Sequence, residues 1–301
     1  KFMINGIINV YKEKGYTSFD VVAKLRGILK TRKIGHTGTL DPDAEGVLPV
    51  CLGKATKVCE LLTDKDKTYR AVLFLGQTTD TQDASGTVLE TSDVSNLNES
   101  QVTEAVQSFV GEYAQIPPMY SALKVGGKKL YELAREGKTV ERKARNVMIH
   151  SIKILRVDLP RVEMEVSCSK GTYIRTLCHD IGEKLGVGGC MESLLRVQVG
   201  RFVLADSLRL SEIQKAKEDG NLEKILQPID SVFEQYRAVR IRPDQEKRLQ
   251  NGNSFRKPDR LQNYDDQEMV RVYDSNGHFA AVYRYVEKDH EFRIVKMFLQ
   301  P

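Results

Sequence analysis

The chain has 301 residues, 41% of them hydrophobic and 29% charged, with a formal net charge of +5. That length can bury a full core, one large unit plus one small, and the mild basic excess leans toward a polyanion without naming one. The five cysteines contain no C-x-x-C and the five histidines no H-x-x-x-H or H-E-x-x-H pair, which excludes a disulfide framework, a zinc ribbon and a zinc protease fingerprint. No uncharged run approaches the ~20 residues of a membrane helix, and no secretory h-region opens the chain. Lys1 and Phe2 stand ahead of Met3, the order expected of residues added before a natural start.

Ile7 to Tyr11 predicts a strand. Thr17 and Asp20 have capping-box spacing with Asp in place of Glu, opening a helix to about Leu29. Its apolar face is Val21, Val22, Leu25, Ile28 and Leu29. From Val21 to Leu40 there are five Lys or Arg and no acid, which reads as a solvated helix face or a phosphate-contacting one. Lys54 to Leu62 predicts a helix and Lys67 to Gly76 a strand. Asn98 and Gln101 cap a helix through Val110, closed by Gly111. Lys124 to Arg145 holds eight Lys or Arg against three Glu, with Gly126-Gly127, Gly137 and Tyr131, and predicts a mobile basic insertion able to clamp a nucleic-acid backbone. Asn146–Val157 and Arg161–Ser169 predict a strand pair, because Val162, Met164 and Val166 alternate with Glu163 and Glu165. Ser169 to Leu177 turns into a helix ending near Leu185, with Arg175 in its first turn, where the dipole disfavours a cation and a partner carboxylate is therefore expected. A glycine turn leads to a last strand over Leu194–Val199. Asp206 to Tyr236 predicts a helical connector interrupted by Pro228. From Ala238 onward short strands and turn signals predict a small β-rich unit.

The stretch Gly35-His36-Thr37-Gly38-Thr39-Leu40-Asp41-Pro42-Asp43-Ala44-Glu45-Gly46 is the centre of interest. Three glycines, two threonines and a proline in twelve residues make a loop, and the apolar Val47–Leu52 after it reads as a buried strand. A loop on such a support allows close backbone approach by a ligand. With one histidine and three carboxylates, its chemistry belongs to a carboxylate. A calcium loop fails because Leu52 stands at the twelfth position. A phosphate-transferring D-x-D-x-T fails because Glu45 stands where Thr is needed, and no G-K-[ST] makes a Walker loop. A purely structural turn remains the plain alternative.

The run GHTGTLDP-x-A-x-GVLP with GKATK after it resembles the catalytic motif of the TruB family of pseudouridine synthases. Lys67-Thr68-Tyr69 is similar to that family's K-x-Y motif and Gly171–Leu177 to its G-T-Y-I-R-T-L motif. Gln115–Arg135 resembles its basic thumb insertion, and the C-terminal segment resembles a PUA-type RNA-binding domain. Two positions depart from the pattern: Lys12-Glu13-Lys14-Gly15 lacks the proline of K-P-x-G, and Leu195-Arg196-Val197 lacks the second arginine of L-R-R. The resemblance implies an α+β fold, with a mixed, mainly antiparallel central sheet flanked by helices over residues 1–236, a thumb near 115–145, and a PUA-like unit over 237–301. It implies isomerisation of a uridine (U55) in the T loop of tRNA to pseudouridine, without cofactor or metal; a monomer is the default expectation, and the cysteine usage fits a reducing cytoplasm. The rival expectations are a tRNA-folding chaperone without catalysis and a guide-RNA-dependent relative; the thumb favours the stand-alone enzyme.

Carried over position by position, Asp41 is the nucleophile and Arg175 the arginine that pairs with it, while His36, Tyr69, Tyr173 and Leu195 contact substrate. Tyr69 is expected to stack on the uracil and lie near its C5 proton. His36 is expected to fill the space that a flipped base vacates. Phosphate contacts are expected from Lys124, Lys128, Lys129, Arg142 and Lys143, whereas Asp43 and Glu45 are read as solvated loop charges. A glycosidic bond needs a carboxylate beside the anomeric carbon, so Asp41 has to be ionised. If it is fully buried with Arg175, removing the arginine is expected to cost ~3–5 kcal/mol.

Overall fold

The computed structural model describes residues 4–258 and 262–299; the N-terminal Lys1-Phe2-Met3 lies outside them. In chain order the first half comprises β1 (Gly6–Lys12), α1 (Ser18–Leu29), β2 (Ile34–His36), β3 (Glu45–Leu52), a 3-10 turn (Gly53–Val58) running into α2 (Cys59–Thr63), β4 (Lys67–Leu75), β5 (Gln77–Thr79), β6 (Val88–Thr91), α3 (Glu99–Gln107) and β7 (Gly111–Gln115). Next come the hairpin β8 (Lys124–Val125) and β9 (Lys128–Lys129), α4 (Leu130–Arg135), β10 (Arg145–Asp158), β11 (Arg161–Cys168), α5 (Ile174–Lys184), β12 (Gly189–Val199) and β13 (Phe202–Val203). The remainder is α6 (Leu210–Glu218), α7 (Leu222–Ile225), β14 (Arg237–Arg240), α8 (Glu246–Gln250), β15 (Phe255–Arg256), β16 (Met269–Tyr273), β17 (Phe279–Val286) and β18 (Glu291–Met297).

The main sheet runs β1-β3-β12-β4-β11-β10-β7, with β2 on β3 and β13 on β12. Every pairing in it is antiparallel except β12 with β3, where Leu195 lies opposite Glu45 and Arg196 opposite Gly46. That one parallel contact sets the end of the Asp41 loop beside the Leu195 strand. Helices α3 and α5 cover one region of the sheet through Val102, Val106, Leu177 and Ile181, while α1 and α6 cover β1 and β3 through Val21, Leu25, Leu210 and Ile213. A second sheet, β14-β16-β17-β18-β15, follows. Its Val282 and Phe298 share a core with Ile7, Val47, Val199 and Phe202 of the main sheet.

The fold is thus α+β, mixed and mainly antiparallel, with a β-rich sheet at its C-terminal end, as expected. The Thr17–Asp20 capping box is present, with Thr17 Oγ1 accepting from the Asp20 N–H and Asp20 accepting from the Thr17 N–H. Other expectations need correction. The segment 54–62 starts as a 3-10 turn and becomes α-helical only at Cys59. The strand expected over Leu194–Val199 as the last begins at Gly189, five residues before that apolar run, and β13 follows it in the same sheet. The 206–236 connector is a 3-10 turn, two short helices and a second 3-10 turn over Ile229–Phe233, started by Pro228. The basic insertion carries a hairpin and a helix, with Leu130 and Leu133 buried.

Candidate active site

The Asp41 loop is held from below by two buried cations. Lys12, wholly buried at the end of β1, donates from Nζ to the carbonyls of Ala44 (2.5 Å), Pro42 (3.1 Å) and Glu13 (3.2 Å). Burial pushes its ammonium down to about 8, against the opposing pull of Glu45, Asp41 and Asp43. Arg196, on β12, donates from Nε to the Val47 carbonyl (2.7 Å) and from Nη2 to the Gly38 carbonyl (3.3 Å). Smaller ties complete the frame: the Leu40 N–H donates to Ser18 Oγ at 3.0 Å, Thr37 Oγ1 donates to the Pro49 carbonyl at 3.1 Å, and the Gly15 N–H donates to the Pro42 carbonyl at 2.9 Å. Gly46 closes the loop at φ +107°, and a Cβ there would stand 2.2 Å from the Arg196 carbonyl oxygen. Only glycine lets β3 approach β12 so closely.

On this frame Asp41 and Arg175 come together across 134 residues of chain, with Nη2 3.4 Å from Oδ2. Arg175 is 6% exposed and also donates to the Tyr120 carbonyl at 2.7 Å, while its guanidinium lies 5.7 Å from the Tyr173 ring centre. The backbone of Tyr173 is pinned in turn by Gln115, which accepts from the Tyr173 N–H and donates to its carbonyl. Asp41 itself is 43% exposed. The expectation of a fully buried ion pair is therefore corrected: the arginine is sequestered, but the carboxylate faces water.

Tyr69, on β4, is buried; burial pushes its hydroxyl up, the Arg196 guanidinium opposes that, and the Asp41 charge adds to it. Tyr173 is likewise raised by burial, with Arg175 opposing and Asp41 adding to the rise. Both phenols face the same carboxylate electrostatically and both stay protonated at neutral pH. His36, at the end of β2, has a pKa lowered by burial and then by Arg196, so it is neutral; its Nδ1 is buried without a protein partner, and Phe19 sits edge-on at 5.3 Å between ring centres. Leu195 is half-buried on β12, opposite Glu45.

The proposed phosphate contacts divide. Lys124 and Lys143 are exposed on the insertion. Lys128 is exposed but reaches Glu136 at 3.4 Å. Lys129 donates to the Tyr131 hydroxyl at 3.1 Å. Arg142 turns inward: it is half-buried and donates to the Pro117 carbonyl at 3.2 Å, so it braces the insertion and does not point at solvent. Asp43 is exposed, but Glu45 is half-buried and accepts from the Tyr11 hydroxyl at 3.1 Å, which corrects its reading as a free loop charge. Among the described residues no group of three or more His, Cys, Asp and Glu is placed to hold a metal.

Lys12 and Arg196 entered the sequence reading only as the matching members of motifs that depart at their neighbours, Glu13 and Val197, and were assigned no role. The one available signal was a lone charge inside an otherwise apolar strand, Lys12 ending Ile7–Tyr11 and Arg196 within Leu194–Val199. A charge at such a position is buried and must be paired.

Two family models match in tandem: the TruB family pseudouridylate synthase N-terminal domain over residues 26–174 and the tRNA pseudouridylate synthase B C-terminal domain over 175–234. A tRNA pseudouridine synthase B of Lachnoclostridium phytofermentans is 54% identical, covering 98% of this chain and all of that one. Its counterpart from Clostridium kluyveri is 44% identical over 98% of this chain and all of its own. Among solved structures, a chain of a Cbf5-Nop10-Gar1 complex aligns with a TM-score of 0.72 at 27% identity, covering 98% of this chain and 85% of that one. A chain of an H/ACA RNP bound to a substrate RNA containing 2'-deoxyuridine aligns with a TM-score of 0.72 at 26% identity, with the same coverage.

Proposed function

The chain belongs to the TruB family of pseudouridylate synthases and isomerises uridine to pseudouridine in tRNA, and from that premise we propose that the target is the T-loop uridine (U55) and that Asp41 performs the chemistry. The single observation that carries the assignment is the half-exposed Asp41 carboxylate resting 3.4 Å from a sequestered Arg175 guanidinium. The isomerisation breaks the bond from N1 to the anomeric carbon, rotates the uracil, joins C5 to the same carbon, and moves the C5 proton off as N1 gains one. Nothing is added or lost. A carboxylate at the sugar serves the bond cleavage. Its charge is supported by the guanidinium 3.4 Å away.

A base must leave its stack before Asp41 can reach the ribose, which costs a few kcal/mol. Tyr69 and Tyr173, the second lying 5.7 Å from the Arg175 guanidinium, are suited to stacking against the extruded uracil. We read Tyr69 as the residue at the C5 proton and Leu195, on β12 opposite Glu45, as a further substrate contact. His36, neutral and part-buried on the loop, is suited to the gap the base leaves. Exposed Lys124 and Lys143 and the exposed face of α1 carry the phosphate contacts that would hold the T arm and elbow, and residues 237–301 act as a PUA-like RNA-binding unit beside the 1–236 catalytic unit. Five free cysteines fit a reducing cytoplasm, where we read the enzyme as acting alone.

The test is an unmodified T-arm hairpin and the purified protein without guide RNA, read by mass spectrometry. The expected result is pseudouridine at one loop position, abolished by Asp41→Asn while hairpin affinity stays within a few fold. Turnover by that variant would sink the role of Asp41, and a requirement for a guide would sink the stand-alone reading.

A further inference from the structure

Phe19 is an anomaly on the page. It is the second residue of α1 and 70% exposed, and the rest of the exposed side of that helix is small or charged: Asp20, Ala23, Lys24, Arg26 and Gly27. Single exposed apolar residues need no explanation in general. This one lies edge-on to His36, 5.3 Å between ring centres at 88°, on the loop that carries Asp41. The same imidazole is half-buried, with its Nδ1 sealed from solvent and a backbone hydrogen bond to Gly38, so the pair presents ring surface and not a free ring nitrogen. Beside Phe19, a shallow open cleft follows α1, lined by Gly15, Tyr16, Asp20, Ala23, Lys24 and Gly27. Ala23 and Gly27 follow Phe19 at spacings of four, so all three share one helix face, and a Cβ at Gly27 would meet nothing within 4 Å. Lys24 and Arg26 are exposed on the same helix.

We infer that Phe19 is a substrate-contacting residue: its open ring face stacks on a splayed base of the tRNA loop next to the extruded uridine, with the His36 ring against it holding its angle. The inference rests on the reading of Asp41 and His36 given above. An exposed phenyl ring is poor use of apolar surface in the free protein, and a π-face stacks on any base. The α1 cleft has no side chain at Gly27, has Lys24 in its lining and has its one carboxylate, Asp20, tied back to Thr17, which gives the adjoining phosphates a place to run beside Lys24. Phe19 thereby selects for an RNA whose loop bases are already unstacked, which is how single-stranded elements are told from duplex.

The test separates Phe19 from the catalytic assignment. In the full chain, Phe19→Ala and Phe19→Tyr are compared with the parent on the T-arm hairpin, and hairpin affinity is measured in the Asp41→Asn background so that turnover does not intervene. Base-aromatic stacking corresponds to a loss of about 5- to 150-fold on truncation. The expected result is that Phe19→Ala raises KM and weakens affinity within that range, with kcat falling less than KM rises, while Phe19→Tyr restores both and the melting temperature of either variant stays at the parent value. Replacing loop bases one at a time with abasic sites should find one position at which the penalty of Phe19→Ala disappears. Affinity within twofold of the parent, or a kcat loss with unchanged KM, overturns the proposal, since the ring would then only brace His36. Activity surviving in Asp41→Asn would instead overturn the catalytic reading and leave the Phe19 binding result to stand by itself.

Discussion

Lys12→Met tests whether a buried cation holds the catalytic loop or merely burdens the fold. The ammonium is removed from water entirely, and the drop of its pKa from 10.5 to about 8 corresponds to about 3 kcal/mol favouring the neutral amine. Against this stand three bonds to carbonyls, one of them wholly buried. Bonds from a charged donor are worth about 1.5–3 kcal/mol each, so at the low end for the two part-exposed carbonyls and the high end for Ala44 they sum to about 6 kcal/mol, less the 3 of desolvation. Methionine fills the space, but the Ala44 carbonyl loses its partner. The net expectation is a loss of about 2–3 kcal/mol, or roughly 5 °C in melting temperature for a chain of this size, together with a fall in kcat as Pro42–Ala44 slackens around Asp41. The pH dependence gives a second readout. The folded pKa lies below the unfolded one, so between pH 8 and 10.5 the unfolded chain binds more protons and this group adds stability as pH rises. The gap between parent and Lys12→Met should therefore widen from pH 8 to 10. Calorimetry of both proteins at pH 7 and across that window decides the matter. A variant as stable as the parent at pH 7, or a gap that narrows with rising pH, refutes the reasoning, because desolvation would then outweigh the bonds.

Gly46→Ala should destabilise by about 3 kcal/mol or more, because the added methyl meets the Arg196 backbone at 2.2 Å in a left-handed conformation; a parent-like denaturant midpoint would contradict the register drawn between β3 and β12. Arg175→Met should cost at least 100-fold in turnover yet less stability than the ~3–5 kcal/mol of a sealed ion pair, since Asp41 keeps access to water; paired single-turnover and melting measurements check both halves. His36 has its folded pKa below the unfolded 6.5, so its influence on stability is nil above that value and becomes unfavourable as pH falls through it. NMR titration of the imidazole should give a midpoint below 6.5, and His36→Gln should flatten the acid limb of the stability profile.

What could be read from the sequence was local. Thr17 and Asp20 cap α1 because both bonds lie within one turn, and the alternation of Val162, Met164 and Val166 declares β11 because a strand's faces repeat every second residue. The pairing of Asp41 with Arg175 was legible only through resemblance, since nothing in the spacing of 134 residues implies contact. Long-range braces were illegible for the same reason: Arg196 reaches the Val47 carbonyl across 149 positions. The early start of β12 was hidden by Gly188-Gly189, which reads as a turn, although a Cβ on Gly182 would lie 2.2 Å from Gly188 and the glycines are there for helix-to-strand contact. The exposure of Asp41 had no signature at all, because it depends on what the surrounding elements leave uncovered.

The C-terminal sheet has one further implication. Val282 and Phe298 are sealed against Ile7, Val47 and Phe202, and Val47 is the residue whose carbonyl Arg196 grips. The tail of the protein is therefore part of the masonry behind its reactive loop. Shearing the chain after Tyr236 would strip oily surface from the reverse side of the very strand on which Asp41 depends, so a shortened protein would lose its chemistry along with any grip on RNA.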